Sequence, residues 1–166
     1  MSKLFNLLIY ESDIEDFTKY SVNDISSYIL LRCLKKKKPI TNIQLQKILY
    51  YAQIEYYKLT QKFLFEDEFK ARKFGPVINT IYYQYNINCA YPIRDIYNPD
   101  VKLPKNINRF LNRIIREKIK LDMWTMVKDI HRENGAWYIT YDKGKGNNKI
   151  IEKSLIIERE IQNKEE

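Results

Sequence analysis

The chain has 166 residues, 45% hydrophobic and 30% charged, with 29 lysines and arginines against 21 acids and a formal charge of +8. That length suits one domain with a self-sufficient core. No apolar run is long enough for a helical membrane span, and Leu4 to Tyr10 lacks a small-residue cleavage site, which argues against a signal peptide. The basic balance favours an anionic partner without naming one. The bias towards Ile, Lys, Asn and Tyr also fits an AT-rich genome, which would account for part of that charge. Cys33 and Cys89 fit neither a metal spacing nor a disulfide framework, so both are expected to be buried, reduced thiols in a cytoplasmic protein.

Residues 1–20 read as an extension, apolar first and acidic second, for which helix and strand both fit. Ser21 with Asp24 resembles a weak capping box, and Val22, Ile25, Ile29 and Cys33 recur at helical spacing. Pro39 then stops that helix near Lys35. The run Lys35 to Lys38 reads as a solvated helix end favourable to the dipole, in preference to a phosphate site, because it has no recognition geometry of its own.

The clearest pattern follows. Thr41 and Gln44 form a capping box, and Ile40 with Leu45 has the spacing of a hydrophobic staple. Ile48, Leu49, Ala52, Tyr56 and Leu59 continue the stripe, predicting a central helix from Asn42 to about Leu59. Phe63–Phe65 and Phe69–Phe74 flank Glu66–Glu68 and suggest a small hairpin or an extended excursion. Gly75-Pro76 is expected to open a third helix, with Gly as cap and Pro at its first position. Residues 88–103 read as a mobile loop. Pro104 starts a fourth helix with Ile107, Phe110, Leu111, Ile114 and Ile115 inward. Asp122 caps a fifth, with Trp124, Val127 and Ile130 on its apolar face and Asn134-Gly135 at its end. Trp137 to Tyr141 alternates like a strand, and Ser154 is expected to cap a last helix.

The segments ITNIQLQKILYYAQ and FLFEDEFKARKFGPV, followed by His131 a few residues before Trp137, resemble the Panacea antitoxin domain of SocA- and GepA-like phage-associated proteins. The resemblance spans roughly residues 21–157. It divides the chain into the extension 1–20, a helical domain 21–157 and a charged tail 158–166. The fold expected is all-α: a compact orthogonal bundle of five or six helices with a small β-hairpin-like excursion.

The chemistry-bearing residues are few. Hydrolytic Ser-His or Cys-His work would have to use His131, the single histidine, and no phosphate-cradling loop or nucleophile elbow is present. A zinc site needs four ligands, and one histidine with two cysteines supplies three. Glu68, Asp122 and Glu133 carry no pairing signal. The chain therefore reads as no enzyme, with no cofactor and no metal. His131 is expected at the edge of the core, bonded to backbone or to Glu133; the resemblance leaves a functional role open.

The resemblance implies an antitoxin that neutralises a cognate protein toxin by direct binding, or an adaptor that delivers it to a protease. Candidate partner-binding residues are Tyr51, Tyr57 and Tyr83, expected to point out of their apolar stripes, and the exposed corner Lys73-Phe74 before Gly75-Pro76. His131 and Trp137 join them through the recurring motif. The alternative partner is nucleic acid. Lys105, Arg109, Arg113, Arg116 and Lys120 form a basic stripe opposite Ile107, Leu111 and Ile114, able to track phosphates or to meet an acidic protein.

Overall fold

The computed structural model describes residues 20–162. The expected extension, apart from Tyr20, and the last four residues lie outside that range. The fold is mostly helical: α1 (Val22–Lys35), α2 (Asn42–Thr60), β1 (Lys70–Arg72), β2 (Gly75–Val77), α3 (Asn79–Tyr85), α4 (Lys105–Lys118), α5 (Met123–Ile130), α6 (Ala136–Tyr141) and α7 (Lys153–Ile156). A 3-10 turn over Asn86–Asn88 extends α3, and a π-helical turn over Ile157–Ile161 continues α7. Among the described residues no helix is long and apolar enough to cross a membrane.

Most elements pack on α2. Its entry is set as the sequence predicts: Gln44 N donates to Thr41 Oγ1 (3.3 Å) and Thr41 N to Gln44 Oε1 (2.9 Å). Leu45, Ile48, Leu49 and Ala52 are fully enclosed, and every residue from 45 to 54 is buried. A helix buried on all sides is central, not peripheral. α1, α3, α4, α5 and β2 all touch it. α4 is the opposite type, burying Ile107, Phe110, Leu111, Ile114 and Ile115 on one side and facing solvent on the other.

The excursion after α2 is held by one side chain. Gln53 is 3% exposed. Its Nε2 donates to Phe65 O (2.9 Å), while its Oε1 accepts from Leu64 N (2.8 Å) and Phe65 N (3.3 Å). Extended backbone enters the core only when its polar groups find partners, and Gln53 supplies three. The chain then turns through the β1–β2 hairpin in the register Lys70↔Val77, Ala71↔Pro76, Arg72↔Gly75. On the far side of β1, Ala71 N donates to Lys149 O (2.8 Å) and Ile151 N to Phe69 O (2.8 Å), so residues 148–151 cover that edge.

Several expectations are corrected. Gly75-Pro76 lies in β2, and α3 begins only at Asn79, because residues 75–77 pair with 70–72 and the Ile78 amide is held by Gln46. Residues 137–141 are helical. Trp137 and Tyr141 fall on one face, and Ala136 N donates to the buried Glu160 carboxylate (2.9 Å), which anchors the helix start. Tertiary contacts override the strand propensity of this aromatic run. α5 ends at Ile130, ahead of Asn134-Gly135, and α7 is capped at Glu152 without a side-chain bond from Ser154. Glu160 is 6% exposed and pairs with Arg132 (2.5 Å), although its position lies in the segment expected as a charged tail. Residues 88–103 are irregular but pinned: Ile93 is buried and donates to Ile40 O (2.8 Å), and Asn98 bonds Asp24 and Ser27. Cys33 is buried, and burial pushes its thiol up to about 11; Cys89 is exposed.

Gln53→Leu keeps the side-chain size but leaves two amides and a carbonyl buried without partners. We expect a loss on the order of 4 kcal/mol in urea unfolding, against about 1 kcal/mol for Thr41→Ala at the cap.

Candidate functional site

The segments singled out in the sequence meet at one place, beneath the hairpin. Three polar residues in the first two turns of α2 begin it. Asn42 Nδ2 donates to Tyr82 O (2.9 Å), Gln46 Nε2 donates to Asn42 Oδ1 (3.1 Å), and Gln46 Oε1 accepts from Ile78 N (2.9 Å). Lys47 Nζ donates to Pro76 O (3.0 Å). The first two turns of α2 thereby fix the chain from Pro76 to Tyr82.

Gly75 is required for this approach. A Cβ placed on it would lie 2.6 Å from Lys47 Nζ and 2.9 Å from Lys47 Cε, and its φ of +109° is strained for any other residue. Lys47 is 1% exposed, and burial alone lowers its ammonium from the ordinary 10.5 to about 7.

The other side of the site is aromatic. His131, just past α5, lies flat on Trp137 (centroids 3.5 Å apart, planes at 6°), and Trp137 stacks on Tyr141 (4.7 Å, 17°). Trp137 Nε1 donates to Arg72 O (2.9 Å) and ties the stack to β1. His131 is thus a stacked residue, and the expected bond to backbone or Glu133 is not made: its Nε2 is buried without a partner among the described residues. Burial, then the charge of Lys47, lowers its imidazole to about 4, so it is neutral at physiological pH.

A pocket of about 320 Å³ opens beside Lys47, bounded by Arg72, Lys73, Phe74, Val77, Tyr82 and Asn147 among others. Arg72 is held rigid: its Nη2 donates to Asn79 Oδ1 (2.9 Å) and Tyr83 Oη (2.8 Å), and its guanidinium lies over the Tyr82 ring (4.8 Å). Phe74, 40% exposed, meets Trp124, 61% exposed, edge to face at 6.0 Å, and Tyr83 is 55% exposed.

Of the candidate residues, Lys73, Phe74, Tyr83, His131 and Trp137 gather at this hairpin. Trp137 is 5% exposed and shapes the site from within. Two tyrosines do not join them. Tyr51 is buried, not outward-facing: its hydroxyl donates to Asp129 Oδ2 (2.6 Å) under the Lys118 ammonium, 3.7 Å from the ring, and burial with that bond raises its phenol above the ordinary value. The surrounding helices enclose α2 on that side too. Tyr57 is half-buried against Phe63 (4.8 Å). On the outer side of α4, Lys105, Arg109 and Arg116 are exposed, as is Lys120 just beyond its end, while Arg113 pairs with Glu117 (3.2 Å). Sequence reasoning missed Lys47, Arg72 and Trp124. For Lys47 the signal was there: a lysine inside the stripe Leu45–Ile48–Leu49 has no route to solvent on a buried helix. Trp124, read as core, is displaced outwards because Met126, Val127 and Ile130 fill the inner face of α5.

The buried lysine makes stability depend on pH. Between about 7 and 10.5 the folded state holds Lys47 neutral while the unfolded chain keeps it charged, so the unfolded chain binds more protons and stability rises with pH. We expect a gain of about 2 kcal/mol in urea unfolding between pH 7 and 9, absent in Lys47→Met. For His131 the same sign puts the loss on the acid side, as pH falls from 6.5 towards 4. His131→Phe, which keeps the stack, should flatten that limb.

A family model described as antitoxin SocA-like, Panacea domain, matches residues 45–138, more than half of the chain. No curated protein and no solved structure matches it. The matched segment contains Gln46, Lys47, Gly75, Pro76, His131 and Trp137, the residues that meet beneath the hairpin. The chain belongs to the SocA-like antitoxin family and carries its Panacea domain.

Proposed function

We propose that this protein is the antitoxin of a toxin–antitoxin pair, and that it neutralises its toxin by direct, stoichiometric binding through the hairpin surface. The observation that carries the reading is the exposed Phe74–Trp124 pair and the exposed Tyr83 bonded to a rigid Arg72, all within the matched segment. Trp, Tyr and Arg are the side chains that dominate binding energy at interfaces, above all when they are already ordered in the free protein. Family membership supports a protein partner. The chemistry is that of a binder rather than an enzyme: the single histidine is spent on a ring stack, with its Nε2 buried. Action in the cytoplasm, where a toxin would be made, fits this role. The same surface serves an inhibitor or a protease adaptor; the toxin's half-life with and without this protein separates the two.

A second reading rests on the outer side of α4, where Lys105, Arg109, Arg116 and Lys120 are exposed together. Such a face can follow a phosphate backbone, and binding would then weaken steeply with salt. If Arg109→Glu with Arg116→Glu leaves nucleic-acid binding unchanged, that reading fails.

Expression of a neighbouring gene's product alone should arrest growth, and co-expression of this protein should rescue it. Phe74→Ala with Trp124→Ala should weaken toxin binding roughly a hundredfold while leaving the folded far-UV spectrum intact. The reading is lost if no neighbouring product is toxic, or if the double variant rescues as well as the native chain.

A further inference from the structure

We propose that the pocket beneath the hairpin is a carboxylate-recognition site, which takes an acidic anchor carried on an apolar body from the bound toxin. This rests on the antitoxin reading and names what the toxin must present. The lining of the 320 Å³ space is one-sided: Lys47, Arg72 and Lys73 bring cationic groups to it, and none of the residues lining it is acidic. The rest is apolar wall, with Phe74 and Val77, closed by the Asn147 amide. A volume at the lower end of the range for ligand sites, about 300–1,000 Å³, holds a side-chain-sized group and no large cofactor.

The donors are also unspent. An ammonium has three hydrogens to give, and the described residues take one of them, at Pro76 O. Arg72 Nε is buried with no hydrogen-bond partner among the described residues, and its Nη2 is fully used in holding the rim. A carboxylate entering beside the Lys47 ammonium would accept charge-assisted hydrogen bonds from its remaining donors. It would also favour the charged form of Lys47 against burial. Arg72 and Lys73 of the hairpin line the same space as Lys47, and His131 from the end of α5 is neutral at pH 7. The lining therefore supplies positive charge and no negative charge. The exposed rim of Phe74, Trp124 and Tyr83 places the pocket inside the surface assigned to the toxin, which makes a protein carboxylate the occupant.

The test titrates the full chain with N-acetylphenylalanine and with its carboxamide, which keeps the body and removes the charge. Side-chain signals of Arg72, Lys47 and Asn147 are followed by NMR. The acid should shift all three and raise the Lys47 pKa, the amide should not, and Lys73→Glu, at an exposed turn, should weaken the acid about tenfold. Equal response to the amide overturns the proposal, as does no response to either. Inorganic phosphate binding as tightly as the acid also overturns it, because the apolar wall would then contribute nothing. In a second arm the acid should compete with the toxin; a toxin that binds with unchanged affinity in saturating acid places its anchor elsewhere and overturns the proposal. If the acid binds but no toxin does, the antitoxin reading fails and the carboxylate chemistry of the pocket stands.

Discussion

The structure depends on polar side chains of α2 standing in for backbone. Asn42, Gln46, Lys47 and Gln53 are all buried, and each is hydrogen-bonded to a main-chain group between residues 64 and 82 that the local helix or ladder leaves to a side chain. An excursion that crosses the core between residues 63 and 82 has amides and carbonyls that no regular element satisfies. Placing the partners on one rigid helix solves this, and it couples the excursion to the centre of the fold. A helix that is polar at four buried positions is a poor candidate for a generic core helix. It is a good one for a scaffold that must hold an irregular surface still.

The same arrangement accounts for the residues at positions 47, 75, 131 and 137. Glycine at 75 is set by the approach of Lys47, and lysine at 47 by the carbonyl of Pro76. Trp137 is set by the carbonyl of Arg72, and His131 by the face of Trp137. Motifs far apart in sequence are thus one contact set, whose product is the position of the Lys73-Phe74 turn. A neutral-leaning lysine at the centre costs stability at neutral pH. A core optimised for stability alone would place a hydrophobe there, so the penalty is evidence that the position answers to something besides packing.

Where local rules decide, the sequence was legible. The capping box at Thr41, the Asp122 cap and the inward face of α4 could be read from spacing because each depends on residues within one or two turns. The misreadings have a common cause. Whether Gly75-Pro76 opens a helix or enters a strand is decided by Lys47, twenty-eight residues away, and the helix at Ala136 by Glu160. Tyr51 pointed away from the main stripe, yet the neighbouring helices close over that side as well. Periodicity tells which residues share a face; it does not tell how many faces a helix will bury. The pocket beside Lys47 was invisible for the same reason, since its walls come from α2, the hairpin and the turn at Asn147.

The hairpin leaves no strand edge to offer. One side of β1 is taken by residues 148–151, and on β2 the proline at 76 has no amide while its carbonyl is claimed by Lys47 and the next free amide, at Ile78, by Gln46. A visiting chain therefore finds no row of main-chain groups with which to extend the ribbon. Whatever docks here must be read through side chains, so its identity matters residue by residue and not merely as an extended peptide, and the small sheet is at the same time guarded against sticking to its own copies.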